Sequence, residues 1–135
     1  MCRVVIVDDD QGCLDMLEDL AWEVVGDDGS VEAYSDPNEF IEAASCGREP
    51  DLLIVDYVMP SMDGIRALRI LRGKYGVNSA ALIVTAYELE AMHRLLPTNN
   101  VSAIVAKPFN ANEISRAIRD AVSEACLLSG KGAVA

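Results

Sequence analysis

No apolar run in the chain approaches the roughly 18 residues that a membrane-spanning helix needs, so no contact with a membrane is expected. Nor is there a leader of charged region, long apolar stretch and small-residue cleavage site ahead of the first strand-like run, and the expected location is cytoplasmic. Cysteine is sparse and unpatterned. Cys2, Cys13, Cys46 and Cys126 form no CxxC pair and have no histidine nearby, which points to buried thiols and away from a zinc site. Positive charge is short as well, with 11 Lys and Arg against 22 Asp and Glu and a formal net charge of -11. So acidic a surface repels a phosphate backbone instead of releasing its counterions, which argues against direct nucleic-acid binding and leaves room for a metal cation or a basic partner. Internal repeats and low-complexity blocks are also missing.

What remains is a chain of 135 residues, 51% hydrophobic, enough for one substantial core. A mean hydropathy of +0.19 belongs to a compact protein and not to a disordered one. The expected domain is 1–127, with 128–135 a flexible C-terminal tail or linker stub rich in Gly and Ala.

Residues 52–55, Leu-Leu-Ile-Val, are continuously apolar, as suits a strand buried on both faces in the middle of a parallel sheet. The run stops at Asp56, and Met59-Pro60 and Asp63-Gly64 follow as turn chemistry. Residues 3–7 make a similar strand ending in Asp8-Asp9-Asp10. A helix is expected next, with Leu14, Leu17, Ala21 and Val24 on one face and Gly26 and Gly29 at its end. Trp22 falls off that stripe, as a partly exposed packing residue or part of a partner surface. Residues 30–34 form a second strand. Asp36-Pro37-Asn38-Glu39 then opens a helix that buries Phe40, Ile41 and Ala44.

Beyond Gly64, the spacing of Ile65, Leu68, Leu71 and Tyr75 predicts a helix ending among Gly73 and Gly76. Residues 80–85 form a strand finishing in the Thr85 hydroxyl, and 87–96 a helix stopped by Pro97. A turn at Asn99-Asn100 leads to a fifth strand over 101–106, which ends at Lys107-Pro108. Asn110 and Glu113 resemble a capping box for a closing helix with Ile114, Ala117, Ile118, Ala121, Val122 and Ala125 on its apolar face. Five strands alternating with five helices predict an α/β, doubly wound, five-stranded parallel sheet of the flavodoxin-like order 2-1-3-4-5.

In such a sheet the carboxyl ends of strands one, three, four and five share a rim. Those ends carry Asp8 and Asp9, Asp56, Thr85 and Lys107. Crowded carboxylates need either raised pKa values or a cation, and magnesium, a hard ion that takes oxygen ligands, fits; manganese is a possible substitute. Lys107 adds a positive point charge for phosphate oxygens and Thr85 a hydrogen-bond donor. With the phosphoryl charge neutralised, Asp56 can act as a nucleophile and form an acyl phosphate.

Val-Asp-Asp-Asp at 7 to 10, Asp56 with Met59-Pro60 and Gly64, Thr85-Ala86 and Lys107-Pro108-Phe109 form an ordered set that resembles the response-regulator receiver domains of two-component signalling, from residue 4 to about 126. The resemblance implies that Asp56 accepts phosphate from a histidine kinase or histidine phosphotransfer protein. It also implies magnesium held by Asp9 directly, by Asp8 largely through water, by Asp56 and by the Val58 backbone carbonyl. Lys107 would pair with the phosphoryl group, and its bond to Pro108 would be cis. Phosphorylation would draw the Thr85 hydroxyl inward and reshape the face made by the 87–96 helix, the 101–106 strand and the closing helix, through which the family often forms homodimers. The chain departs from the pattern in two places. Ile104 stands three residues before Lys107, where the family usually has Tyr or Phe, and a β-branched aliphatic cannot swing as a ring does; Tyr87 could take part of that role. Asn100 stands where Gly is common, and Asn too tolerates a left-handed turn.

Two other classes compete. A receiver-like interaction module that signals without phosphorylation is favoured by Ile104 and opposed by the complete set of polar residues. A magnesium-dependent phosphohydrolase would want a carboxylate two residues past its nucleophile, where this chain has Val58. Apolar Val58 and bulky Tyr87 flank the path of an attacking water, so a long-lived acyl phosphate and no enzyme beyond self-phosphorylation are expected. The first helix, near Trp22, is the expected contact for the phosphodonor. The output partner is not encoded in any motif.

Overall fold

In a computed structural model of the chain, residues 2–86 and 100–129 are described, with side chains as far as residue 125. Five strands form one parallel sheet: β1 (Arg3–Val7), β2 (Ser30–Tyr34), β3 (Leu52–Asp56), β4 (Ala80–Thr85) and β5 (Val101–Ala106), in the order β2-β1-β3-β4-β5. The helices among the described residues are α1 (Gln11–Val25), α2 (Pro37–Ala44), α3 (Gly64–Tyr75) and α4 (Ala111–Ser129). The flavodoxin-like architecture is as expected. The described helices number four against the five expected; residues 87–96, where the remaining helix was expected, lie outside the described residues, as does Tyr87.

The sheet divides the core by the two-residue period of its strands. Val5, Val7, Leu53, Val55, Ala81 and Ile83 face α2 and α3, where Phe40, Leu68 and Leu71 meet them. Val4, Ile6, Leu52, Ile54, Leu82 and Val84 face α1 and α4, against Leu14, Leu17, Ile114 and Ile118. Every residue of β3 is buried, which is why its sequence is continuously apolar, whereas the edge strands β2 and β5 are only partly covered.

Helix starts follow local chemistry. The Asp10 carboxylate caps α1 by accepting from the Gly12 and Cys13 amides, Asp36 caps α2 through Asn38, and Asp63 caps α3 through Arg66. At α4, Asn110 Oδ1 accepts from the Glu113 amide at 2.8 Å. Glu113 in turn accepts from the Asn110 side-chain amide, not from a backbone amide as a strict capping box has it. Helix α3 runs through Gly73 and stops at Gly76, whose φ of 66° is the left-handed region that glycine enters freely.

Two sequence expectations need correcting, and a third holds. Tyr75 is exposed and not part of the buried face of α3, because the helix is in its last turn there; Ala67 joins Ile65, Leu68 and Leu71 instead. Cys46 is exposed in the loop after α2, and Cys2 and Cys13 are half-buried, so the described thiols are less enclosed than their hydrophobicity suggests. Trp22 is 41% exposed, in keeping with its place off the apolar stripe.

Candidate functional site

The parallel ladder extends past the strand ends and fixes the rim residues. The Asp8 amide donates to Tyr34 O at 3.1 Å, the Tyr57 amide to Val84 O at 2.9 Å and the Lys107 amide to Thr85 O at 2.7 Å. The side chains that follow strands β1, β3 and β5 are therefore launched from one edge.

One oxygen from each of Asp8, Asp9 and Asp56 lies within 4.8 Å of the others. Asp8 and Asp56 are buried and Asp9 is exposed, so the cluster opens on its Asp9 side. Lys107 Nζ lies 3.0 Å from Asp8 Oδ2 and 3.4 Å from Asp56 Oδ2. Although the Asp8 contact is short, Asp8 Oδ2 has no well-aligned hydrogen bond among the described residues, so the pair is chiefly ionic. Asp8 Oδ1 is already held by the Asp10 amide at 2.9 Å. Thr85 is fully buried at the end of β4, on the same rim of the sheet.

Burial pushes the Asp56 carboxyl up to about 7, and the charge of Asp8 pushes the same way against the opposing Lys107. For the Lys107 ammonium, burial works downward, but Asp8 and Asp56 outweigh it and its pKa is raised. A buried, unaligned carboxylate oxygen in a set of hard oxygen donors suits a divalent cation with a preference for oxygen, so the residues present fit magnesium.

The structure thus brings together Asp8, Asp9, Asp56 and Lys107, with Thr85 on the same rim. The Lys107-Pro108 bond is cis. Val58 is 49% exposed in the loop after β3, and Ile104 is half-buried, packed against the core on the α2 and α3 side. Asn100 has a φ of 53°, the left-handed turn that its type tolerates.

Two residues have a place at the site that the reading of the sequence did not assign them. Cys13 is the third residue of α1 and turns toward the cluster; burial, then contact with Asp8, pushes its thiol up to about 12, so it is neutral at physiological pH. Its distance from a capped helix start at the rim was the available signal. Gly64 is the second: a Cβ there would stand 2.5 Å from Asp56 O and 2.8 Å from Val55 Cγ1. The first residue of α3 therefore lies directly on the backbone of Asp56, a closeness that only glycine permits.

Fold and site together define a class: a doubly wound α/β domain with an acidic, lysine-bridged pocket at the carboxyl rim of its sheet. The model of the response regulator receiver domain family matches residues 4–119, and the chain belongs to that family. It is 30% identical over 125 residues to the transcriptional regulatory protein PdtaR of Mycobacterium tuberculosis, covering 90% of this chain and 57% of the relative. It is 27% identical over 117 residues to the DNA-binding response regulator MtrA of Mycolicibacterium smegmatis, covering 87% and 49%. The chain spans about half the length of these curated relatives. Among solved structures, a CheY-like response regulator receiver domain protein from Methanospirillum hungatei superposes with a TM-score of 0.74 at 25% identity, covering 93% of this chain and 96% of that one.

Proposed function

We propose that this receiver domain is a phosphorylation switch in which Asp56 takes a phosphoryl group from a phosphohistidine donor. The observation that carries the reading is the meeting of Asp8, Asp9 and Asp56 within 4.8 Å with Lys107 bridging two of them. In the transfer, an Asp56 oxygen bonds to phosphorus while the phosphorus–nitrogen bond to the donor histidine breaks and the imidazole keeps the electron pair. Lys107 and the Thr85 hydroxyl orient and neutralise the phosphoryl oxygens. Magnesium, held by Asp8, Asp9, Asp56 and the Val58 carbonyl, would supply the remaining positive charge when bound.

A groove of about 370 Å³ supports donor docking at the first helix: Gly12, Cys13 and Met16 of α1 face Pro108 and Phe109 across it, and Lys107 lines its wall. The donor is a histidine kinase or a histidine phosphotransfer protein. Half-buried Ile104 in place of a mobile ring favours one second reading, a receiver-like module that signals without phosphorylation.

Weighing the intact protein after incubation with magnesium and acetyl phosphate separates the two. A gain of one phosphoryl group in the native chain, none in Asp56→Asn and none with chelator is expected. No gain in the native chain would leave the second reading standing, and repeated turnover of the donor would point to a hydrolase.

A further inference from the structure

Helix α3 differs in charge from the rest of the molecule. In a chain of net charge -11, its sequence GIRALRILRGKY holds Arg66, Arg69, Arg72 and Lys74, four of the 11 basic residues, and no carboxylate. Two of the four are engaged: Arg72 donates to Val77 O at 3.0 Å, and Lys74 Nζ sits 5.3 Å from the Tyr75 ring centroid. Arg66 and Arg69, one turn apart on the same face, are exposed and form no ion pair among the described residues. Both line a groove of about 380 Å³ with Tyr57, Asp63 and Ile65. Asp63, the one acid there, faces the α3 amino terminus, where it accepts from the Arg66 amide at 2.8 Å. Gly73, one turn further along the same face, has open space where a side chain would be.

We infer that the outer face of α3, with the Tyr57 groove at its head, is a docking surface for an acidic segment of a partner protein. Guanidinium groups present paired donors that match carboxylates, and two of them one turn apart fit acidic side chains spaced along an extended or helical segment. The half-buried Tyr57 ring in the groove supplies apolar contact beside that charge. An isolated cationic strip on an acidic body also steers an acidic segment to this one place and away from the remaining surface. Tyr57 directly follows Asp56, and its amide is bonded to β4, so a partner seated here touches the loop that leaves the acidic pocket. The surface is independent of the groove between α1 and Phe109.

The test is a titration of isotope-labelled protein with a synthetic peptide of alternating glutamate and leucine, followed by amide shifts, with the glutamine analogue as control. Saturable shifts at Tyr57, Arg66 and Arg69, absent with the glutamine analogue and weakened about tenfold or more in R66E/R69E, are expected. Acetyl phosphate labelling of R66E/R69E should match that of the native chain, which shows that the variant is folded. Equal binding of the glutamine peptide, shifts elsewhere, or no shift at millimolar peptide would overturn the inference. Salt-sensitive self-association that itself shifts the α3 amides would replace the partner with a second copy of this chain, and would likewise overturn it.

Discussion

At the scale of a single residue, the burial of Asp56 sets a carboxylate against the stability of the fold. Its carboxyl is raised from the usual 3.8 to about 7, first by burial and then by Asp8, so the folded protein holds that proton more tightly than the unfolded chain does. The sign follows: its favourable contribution is complete below about pH 4 and is lost as pH rises through 7, where the metal-free fold carries an ill-solvated charge. In chelator at pH 8, Asp56→Asn is expected to be more stable than the native chain by about 1–4 kcal/mol, and the difference should shrink as pH falls toward 4. Magnesium should close most of the gap by stabilising only the native chain. Urea denaturation across this pH range measures both, and a destabilised Asp56→Asn at pH 8 would contradict the account. Asp8, Asp9, Asp56, Thr85 and Lys107 were legible in the sequence because each ends an apolar strand or follows one within two residues, and parallel strands put those ends on one side. Cys13 was less legible: its role depends on which way the first turn of α1 faces, and no local pattern encodes that.

At the scale of elements, the sheet could be read strand by strand, because burial on both faces imposes continuous apolarity on β1, β3 and β4. Packing between elements was harder to see. Tyr75 fits the helical period of α3 yet is exposed, since period alone does not say where a helix outruns the sheet beneath it. Gly64 reads as turn chemistry, but its importance is the contact of α3 with β3, where a methyl group would meet Asp56 O at 2.5 Å. Gly64→Ala must push the head of α3 away from the strand or displace Asp56, at a cost of about 1–3 kcal/mol by the usual penalty of overpacking. Because the displaced atom belongs to the backbone of Asp56, labelling by acetyl phosphate should slow even in the folded fraction. Gly73→Ala, on the same helix with open space around it, is the control: it should be neutral or slightly stabilising. Equal labelling rates for Gly64→Ala and the native chain would show that α3 does not position Asp56.

Over the whole molecule, the two ends of the sheet do different work. At the amino-terminal end, Arg3 gathers β1, β2 and the α2–β3 connection through one guanidinium. Nε donates to Glu32 at 2.7 Å and Nη2 to Glu32 at 3.2 Å and Ala43 O at 2.9 Å, while Nη1 reaches the carbonyls of Cys46 and Arg48. The side chain is only 13% exposed, and bonding to Glu32 raises its pKa, so Arg3 is charged at every accessible pH. Removing it strands several acceptors and one carboxylate, and Arg3→Ala is expected to cost about 2–4 kcal/mol. Arg3 and Asp8 are five residues apart along β1, roughly 16 Å at strand rise, too far for the loss to reach the acidic pocket directly. Denaturation should therefore show Arg3→Ala and Asp56→Asn acting additively, to within about 0.5 kcal/mol. The folded fraction of Arg3→Ala should take up phosphate at the native rate. A slowed rate, or strong non-additivity, would mean that β1 transmits strain from one rim to the other, and the division of the sheet into a stabilising end and a reactive end would fail.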